Sequence, residues 1–385
     1  MQLKTIRQIK SLKNKRVLLR LDLNIPLGKR GIRPEDTWRL QKAIPTINYL
    51  VNKGAKVIIV AHLGRPEGKK VKKLSLKPIA DYLARLTGRS IELWTKDITS
   101  YPAASQELLS RQVVMLENIR FQPREKKNCK RLAKSLSKLA DIYVNDAFGN
   151  MHRSDTSMLA ITEFLPSYAG LLVAEEVKHL SKVLQTKKGL VVMFGGAKVT
   201  TKIKLIRKFL RRADAVLLGG MLANTLLVAR GYDLGHSLVK SEELNLAKKL
   251  KHRKLFLPQD VVIASALKAK KSSAVLIDQV PAKMMALDIG PKTVGEYYKI
   301  IKSAKLIIWN GPLGYFENEH IIKNSLSLAK KIVKSPAKVI IGGGETVAMI
   351  SRAGLRDKFD FVSTGGGAML TFLEGEKMPA LEKLK

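Results

Sequence analysis

Short apolar runs recur along this chain, each ending in polar residues or glycine before a stretch of helical period begins. Residues 17–21, 57–60, 113–116, 142–144, 190–194, 215–218, 255–257, 274–277, 306–309, 339–341 and 361–362 read as strands. Amphipathic stretches such as 76–87, 202–212 and 324–333 lie between them. Strands joined by helices of this length form βαβ units, which pack as parallel sheets covered on both faces. So many strands are too many for one sheet. The pattern therefore predicts an α/β fold of two Rossmann-like, doubly wound parallel-sheet lobes. A single long helix over 168–185, beginning after Leu165-Pro166, is expected to join the lobes and act as a hinge.

Ligands of such sheets bind beyond the carboxyl ends of the strands, so the residues at the strand tips carry the chemistry. In the first half, Arg20-Leu21-Asp22-Leu23-Asn24-Ile25-Pro26 and Ala61-His62-Leu63-Gly64-Arg65-Pro66 place polar groups where a buried strand has no need of them. Arg39 follows Thr37-Trp38, Arg120 ends Leu116-Glu117-Asn118-Ile119-Arg120, and Arg153 follows His152. Guanidinium groups gathered at successive strand-to-helix junctions suit a small ligand carrying phosphate and carboxylate, since they pair with both in a bidentate way. Asp22 and Asn24 are placed to hold hydroxyls of that ligand, with an ion pair to the arginines as the alternative for Asp22. His62 has no Ser or Cys nucleophile motif beside it and reads as a ligand contact rather than a general base.

In the second half, four glycine-rich turns follow apolar runs: Gly195-Gly196-Ala197-Lys198, Gly219-Gly220-Met221, Gly342-Gly343-Gly344-Glu345-Thr346 and Thr364-Gly365-Gly366-Gly367-Ala368. Such turns let backbone N–H groups approach a phosphate, and the helix beyond adds a favourable dipole. Neither G-x-x-x-x-G-K-[ST] nor G-x-G-x-x-G occurs, which disfavours a P-loop enzyme and a nicotinamide-dependent oxidoreductase. Lys198 and Lys202 are predicted on one face of the following helix, above a phosphate chain. Glu317 closes the loop that starts at Trp309-Asn310 and reads as a ribose acceptor. Glu345 is the natural ligand for a phosphate-bound Mg²⁺, which commonly uses one or two carboxylates, with helix capping as the alternative.

Charge and cysteine content narrow the function classes. The formal net charge is +38 with a sequence pI near 10.2. The excess is even: 33 basic and 14 acidic side chains in residues 1–165, and 37 and 18 in the rest. Without a basic tail or an aromatic-interleaved patch, these read as solvated lysine faces. No specific nucleic-acid partner is expected, only weak nonspecific polyanion binding at low salt. The single Cys129 excludes an internal disulfide and suits a cytoplasmic location. No apolar stretch is long enough for a membrane helix. The basic opening residues lack the apolar core of a signal peptide and are read as mature protein.

Taken together, these motifs resemble the phosphoglycerate kinase family over about residues 20–374. RLDLNIP, AHLGRP, LENIRF, NDAFG followed by HR, GGAKV, WNGPLGYFE, GGGET and STGGGA occur in that family's order. The resemblance implies reversible phosphoryl transfer between 1,3-bisphosphoglycerate and ADP, giving 3-phosphoglycerate and ATP, with Mg²⁺, in glycolysis or gluconeogenesis. It implies that Asp22, Asn24, Arg39, His62, Arg65, Arg120 and Arg153 bind phosphoglycerate. Nucleotide and metal fall to Gly195, Lys198, Lys202, Gly219, Gly290, Asn310, Glu317, Gly343, Gly344, Glu345 and Thr346. Arg39 and Lys198 would flank the transferring phosphoryl, helped by backbone N–H groups of Gly343 and Gly366. Residues 1–165 with 375–385 would form the phosphoglycerate lobe and 166–374 the nucleotide lobe, in a monomer that closes about its hinge. Two departures from the family pattern stand out: Glu345 replaces an aspartate, and Thr200-Thr201 replace Ser-Asp.

Overall fold

The computed structural model describes residues 2–28, 31–32, 37–96, 98 and 112–385. The chain divides into two compact units, Met1–Lys178 with Gly375–Lys385, and His179–Glu374.

The first unit is built on a six-stranded parallel sheet. Its strands in spatial order are Glu92–Trp94, Val113–Leu116, Lys56–Val60, Arg16–Leu21, Ile142–Asp146 and Ser167–Ala169. Successive residues of one strand feed opposite cores. Val17, Leu19 and Leu21 pack with Ile47, Leu50, Ile79 and Leu83 on one face, while Leu18 packs with Ile58, Val114, Leu136 and Tyr143 on the other. Helices cover both faces, which is why these strands read as unbroken apolar runs.

The second unit carries its own six-stranded parallel sheet, ordered Leu255–Phe256, Ala215–Leu218, Leu190–Phe194, Leu306–Asn310, Lys338–Gly342 and Phe361–Val362. Numbered along the chain, this is the 3-2-1-4-5-6 order of a dinucleotide-binding sheet. The run expected at 274–277 lies elsewhere. It belongs to Ser273–Leu276, the outer strand of an antiparallel ladder with Asp260–Ala264 and Met285–Ile289. Sequence pattern missed Glu92–Trp94 and Ser167–Ala169, three-residue edge strands too short to show a period, and also the longer ladder strands Asp260–Ala264 and Met285–Ile289.

Both sheets change winding direction at one point. In the first this lies between Arg16–Leu21 and Ile142–Asp146, and in the second between Leu190–Phe194 and Leu306–Asn310. The helix expected over 168–185 is Leu171–Gln185, and the division between the units falls inside it. It starts later than expected because Ser167–Ala169 pairs with Ile142–Asp146 as an edge strand. Its first turn is fastened in the first unit. Asp146 Oδ1 accepts from Val173 N (3.0 Å), and Thr46 Oγ1 accepts from Leu171 N (3.2 Å). Its last turns belong to the second unit, where His179 stacks on Phe361 with centroids 4.2 Å apart.

Candidate active site

The polar strand tips of the first unit converge at its winding switch. Asp22 follows the first strand directly, and its Oδ2 lies 3.5 Å from Arg39 Nη1. That same Nη1 donates to the Asn24 carbonyl at 3.0 Å, while the Asn24 side chain accepts from Gly64 N at 2.9 Å. Asp22 thus lies within ion-pair reach of Arg39, one of the two roles its sequence position allows. Asn118 fastens two of the expected motifs together. Its side chain accepts from Leu63 N (3.2 Å) and Arg120 N (3.1 Å) and donates to the carbonyls of Leu63 and Leu74. Arg120 is held in turn, donating to Gly64 O at 2.7 Å and lying 3.6 Å from Asp155 Oδ2.

His62 is buried among these cations. Desolvation, then the guanidinium groups of Arg20, Arg120, Arg153 and Arg39, hold it well below the usual imidazole range. It therefore contributes a neutral ring at pH 7. Arg65 is exposed and Arg153 half-buried, and among the described residues neither side chain has a hydrogen-bond or ion-pair partner. Two buried donor-capable atoms, Arg120 Nε and His152 Nδ1, also lack partners. Buried polar groups are normally satisfied. Several cations with spare hydrogen-bonding capacity thus gather around one switch point, an arrangement suited to an anion.

The second unit gathers its groups at its own switch. Gly195 donates to Asn310 O (3.1 Å) and Gly196 to Pro312 O (2.9 Å), so the two strand tips are zipped together. A side chain on Gly195 would overlap the Pro312 carbonyl, which leaves only glycine at that tip. Thr346 Oγ1 accepts from Gly311 N at 2.7 Å and ties in the turn after Lys338–Gly342. Gly343 has φ +93°, a conformation favouring glycine, and caps the helix Gly344–Arg352. Gly366 likewise precedes the helix Gly367–Glu374.

A cavity opens over these turns, lined by Gly196, Gly220, Leu287, Tyr315, Glu317 and Glu345 among others. Glycines, apolar side chains and two carboxylates suit a planar base, a sugar and a phosphate chain. Of the expected nucleotide residues only Glu317 and Glu345 line it; Gly195, Lys198, Lys202, Gly219, Gly290, Asn310, Gly343, Gly344 and Thr346 do not. Gly219 packs on Leu313, and a side chain on Gly290 would overlap the Asp260 carboxyl that caps the helix Pro291–Ile301.

Lys198 and Lys202 do not share a helix face. The helix begins at Ile203, because Glu243 holds the preceding turn: it accepts from Val199 N (2.6 Å), Thr200 N (3.3 Å) and Thr200 Oγ1 (2.6 Å). Lys202 turns inward, and its ammonium donates to the carbonyls of Gly195 and Asn310. Burial lowers its pKa to about 8, opposed by the Glu345 carboxylate. Lys198 stays exposed, with no side-chain partner among the described residues.

The family model for phosphoglycerate kinase matches residues 6–376. The chain belongs to the phosphoglycerate kinase family. Similar proteins include the phosphoglycerate kinases of Herpetosiphon aurantiacus, 42% identical over 100% of this chain and 99% of that one, and of Pelotomaculum thermopropionicum, 39% identical over 99% and 98%. Among solved structures, the phosphoglycerate kinase of Coxiella burnetii superposes with a TM-score of 0.87 at 36% identity, covering 100% of this chain and 99% of that one. That of Pyrococcus horikoshii gives 0.87 at 31%, covering 99% and 98%. The two parallel sheets are thus those of the phosphoglycerate kinase fold.

No group of three or more His, Cys, Asp or Glu suited to a metal occurs among the described residues. A phosphoglycerate kinase needs no such cluster if the metal arrives on the nucleotide. Glu345 fits that duty: it is exposed in the first turn of its helix and lines the cavity. Sequence reading passed over Asn118, Glu125, Ser157 and Glu243 as site residues, and used Arg20 only as a motif letter. The available signal was Arg20 itself, a charge inside an otherwise apolar strand.

Proposed function

We propose that this phosphoglycerate kinase transfers a phosphoryl group reversibly between 1,3-bisphosphoglycerate and ADP through two half-sites, one in each unit. The observation that carries the assignment of half-sites is the convergence of Arg39, His62, Arg120 and Arg153 at one sheet switch. It is matched by a glycine-lined cavity at the other. Asp22, Asn24, Arg39, His62, Arg65, Arg120 and Arg153 bind 3-phosphoglycerate. The arginines pair with phosphate and carboxylate, and His62 adds a neutral hydrogen bond. Gly195, Lys202, Asn310, Glu317 and Gly343 through Thr346 surround the nucleotide. Gly219 and Gly290 support that site from behind, as packing positions.

The acceptor carboxylate is already ionised, so no general base is required. The chain's task is alignment and charge neutralisation. Arg39, held by Asn24 and Asp22, and the exposed Lys198 supply positive charge to the transferring phosphoryl, while Lys202 stays as a fixed cation under the strand tips. Backbone N–H groups of Gly343 and Gly366 add donors at two helix N-termini. Mg²⁺ carried by the nucleotide would neutralise phosphate oxygens, with Glu345 as its carboxylate ligand. The enzyme works as a cytoplasmic monomer with no specific nucleic-acid partner. Among the described residues no helix is long and apolar enough to cross a membrane. ATP-dependent phosphorylation of 3-phosphoglycerate tests the reading directly. Absence of turnover with both Mg²⁺ and Mn²⁺ would defeat it.

A further inference from the structure

Behind the cationic cluster of the first unit lies a buried polar chain that the reaction itself does not require. Arg20 is fully buried, on the same strand face as Leu18, where the neighbours are core residues. Its Nε donates to Ser157 Oγ at 2.9 Å, and Ser157 Oγ donates to Glu125 Oε1 at 2.6 Å. Glu125 Oε2 accepts from Ser157 N at 3.1 Å, and Tyr143 Oη donates to Ser157 O at 2.7 Å. At the other end, Arg20 Nη2 lies 3.1 Å from His62 Nδ1. Its Nη1 donates to Leu21 O.

The chemistry of this contact fixes the imidazole. A guanidinium group can only donate, so Nδ1 must accept. A neutral His62 that accepts at Nδ1 carries its single proton on Nε2. An imidazolium would set N–H against N–H.

We propose that Glu125 is a positioning residue that acts through Ser157 and Arg20 to hold His62 as the neutral Nε2–H tautomer, presenting a donor to the bound phosphoglycerate. The relay rests on the functional reading above for its ligand, but not for its geometry. Without Ser157 Oγ, Arg20 loses the acceptor that aims its fork, and His62 loses the donor that selects its tautomer. Groups on every side act in the same direction on His62. Arg20 faces it from the first strand, Arg39 from the helix Trp38–Gln41, Arg120 from the turn after Val113–Leu116, and Arg153 from the turn after Ile142–Asp146. Glu125 itself faces Arg20 and Asp155.

Long-range ¹H–¹⁵N spectra of the intact protein, with His62 assigned by loss of its signals in His62→Asn, read the tautomer without any ligand. The expected wild-type result is an unprotonated Nδ1, a protonated Nε2, and no titration across neutral pH. In Ser157→Ala and Glu125→Gln, the His62 nitrogens move toward a pattern averaged over the two neutral tautomers, while burial and the remaining arginines keep the ring neutral. The KM for 3-phosphoglycerate rises about tenfold while the KM for ATP stays put. Ser157→Thr, which restores the hydroxyl, recovers the wild-type spectrum and KM. A proton on Nδ1 in the wild type, ordinary titration of His62, or unchanged spectra in both variants overturns the proposal. If the chain does not turn over 3-phosphoglycerate, the functional reading falls while the spectra still decide the relay.

Discussion

At the residue scale, the two switch points rely on different kinds of side chain. In the first unit Arg39 is held by the Asn24 carbonyl and Asp22, and Arg120 by the Gly64 carbonyl and Asp155, on turns that Asn118 fastens together. Replacing Asn118 by alanine leaves buried N–H and C=O groups of Leu63, Leu74 and Arg120 unmatched. The expected cost is ~2–4 kcal/mol of stability. A rise in the KM for 3-phosphoglycerate with the KM for ATP unmoved should accompany it, and chemical denaturation with steady-state kinetics checks both. In the second unit Lys202 is a buried cation with a pKa near 8, below the ordinary lysine value. Phosphate oxygens favour its charged form, so nucleotide binding raises that pKa and takes up a proton when the solution is near pH 8. Well below pH 8 the ammonium is already present and uptake vanishes. Calorimetry of ADP binding in buffers of different ionisation enthalpy measures this, and Lys202→Met should abolish it. Sequence reading found both lysines but not their difference. That Lys198 points outward and Lys202 inward depends on Glu243, some forty residues away along the chain and invisible to local spacing.

At the scale of elements, strand tips and glycine turns decide where chemistry occurs, and most of this was legible in the sequence. The apolar runs that become parallel strands are buried on both faces and stand out as continuous, whereas the three-residue edge strands are too short to do so, and the buried ladder strands Asp260–Ala264 and Met285–Ile289 were passed over. The start of the connecting helix was misread for a related reason. Its capping carboxylate, Asp146, comes from a different strand tip, and burial pushes that carboxyl up to about 6. Gly290 belongs to this scale too. It permits the Asp260 cap of Pro291–Ile301 rather than touching the cavity. Gly290→Ala should cost ~1–3 kcal/mol through overpacking. Thermal unfolding then shifts down, while ADP affinity of the folded protein stays at the wild-type value.

At the scale of the molecule, the +38 charge is shared by both halves and built mainly from exposed lysines. Binding to a nonspecific polyanion such as heparin or random-sequence DNA should fall steeply and log-linearly with salt, with no sequence preference. A titration by fluorescence anisotropy checks this, and a shallow slope with strong sequence preference would instead identify a specific partner.

The segment Gly375–Lys385 packs in the first unit, burying Met378, Ala380, Leu381 and Leu384, and Leu384 O accepts from Lys4 N at 2.7 Å. A ribosome delivers these residues after the whole of His179–Glu374. During synthesis the second unit can therefore complete its core while the first still lacks a piece of its own. The half of the enzyme made first is finished last, and until residue 384 has emerged the first unit lacks the apolar side chains that this segment buries in it.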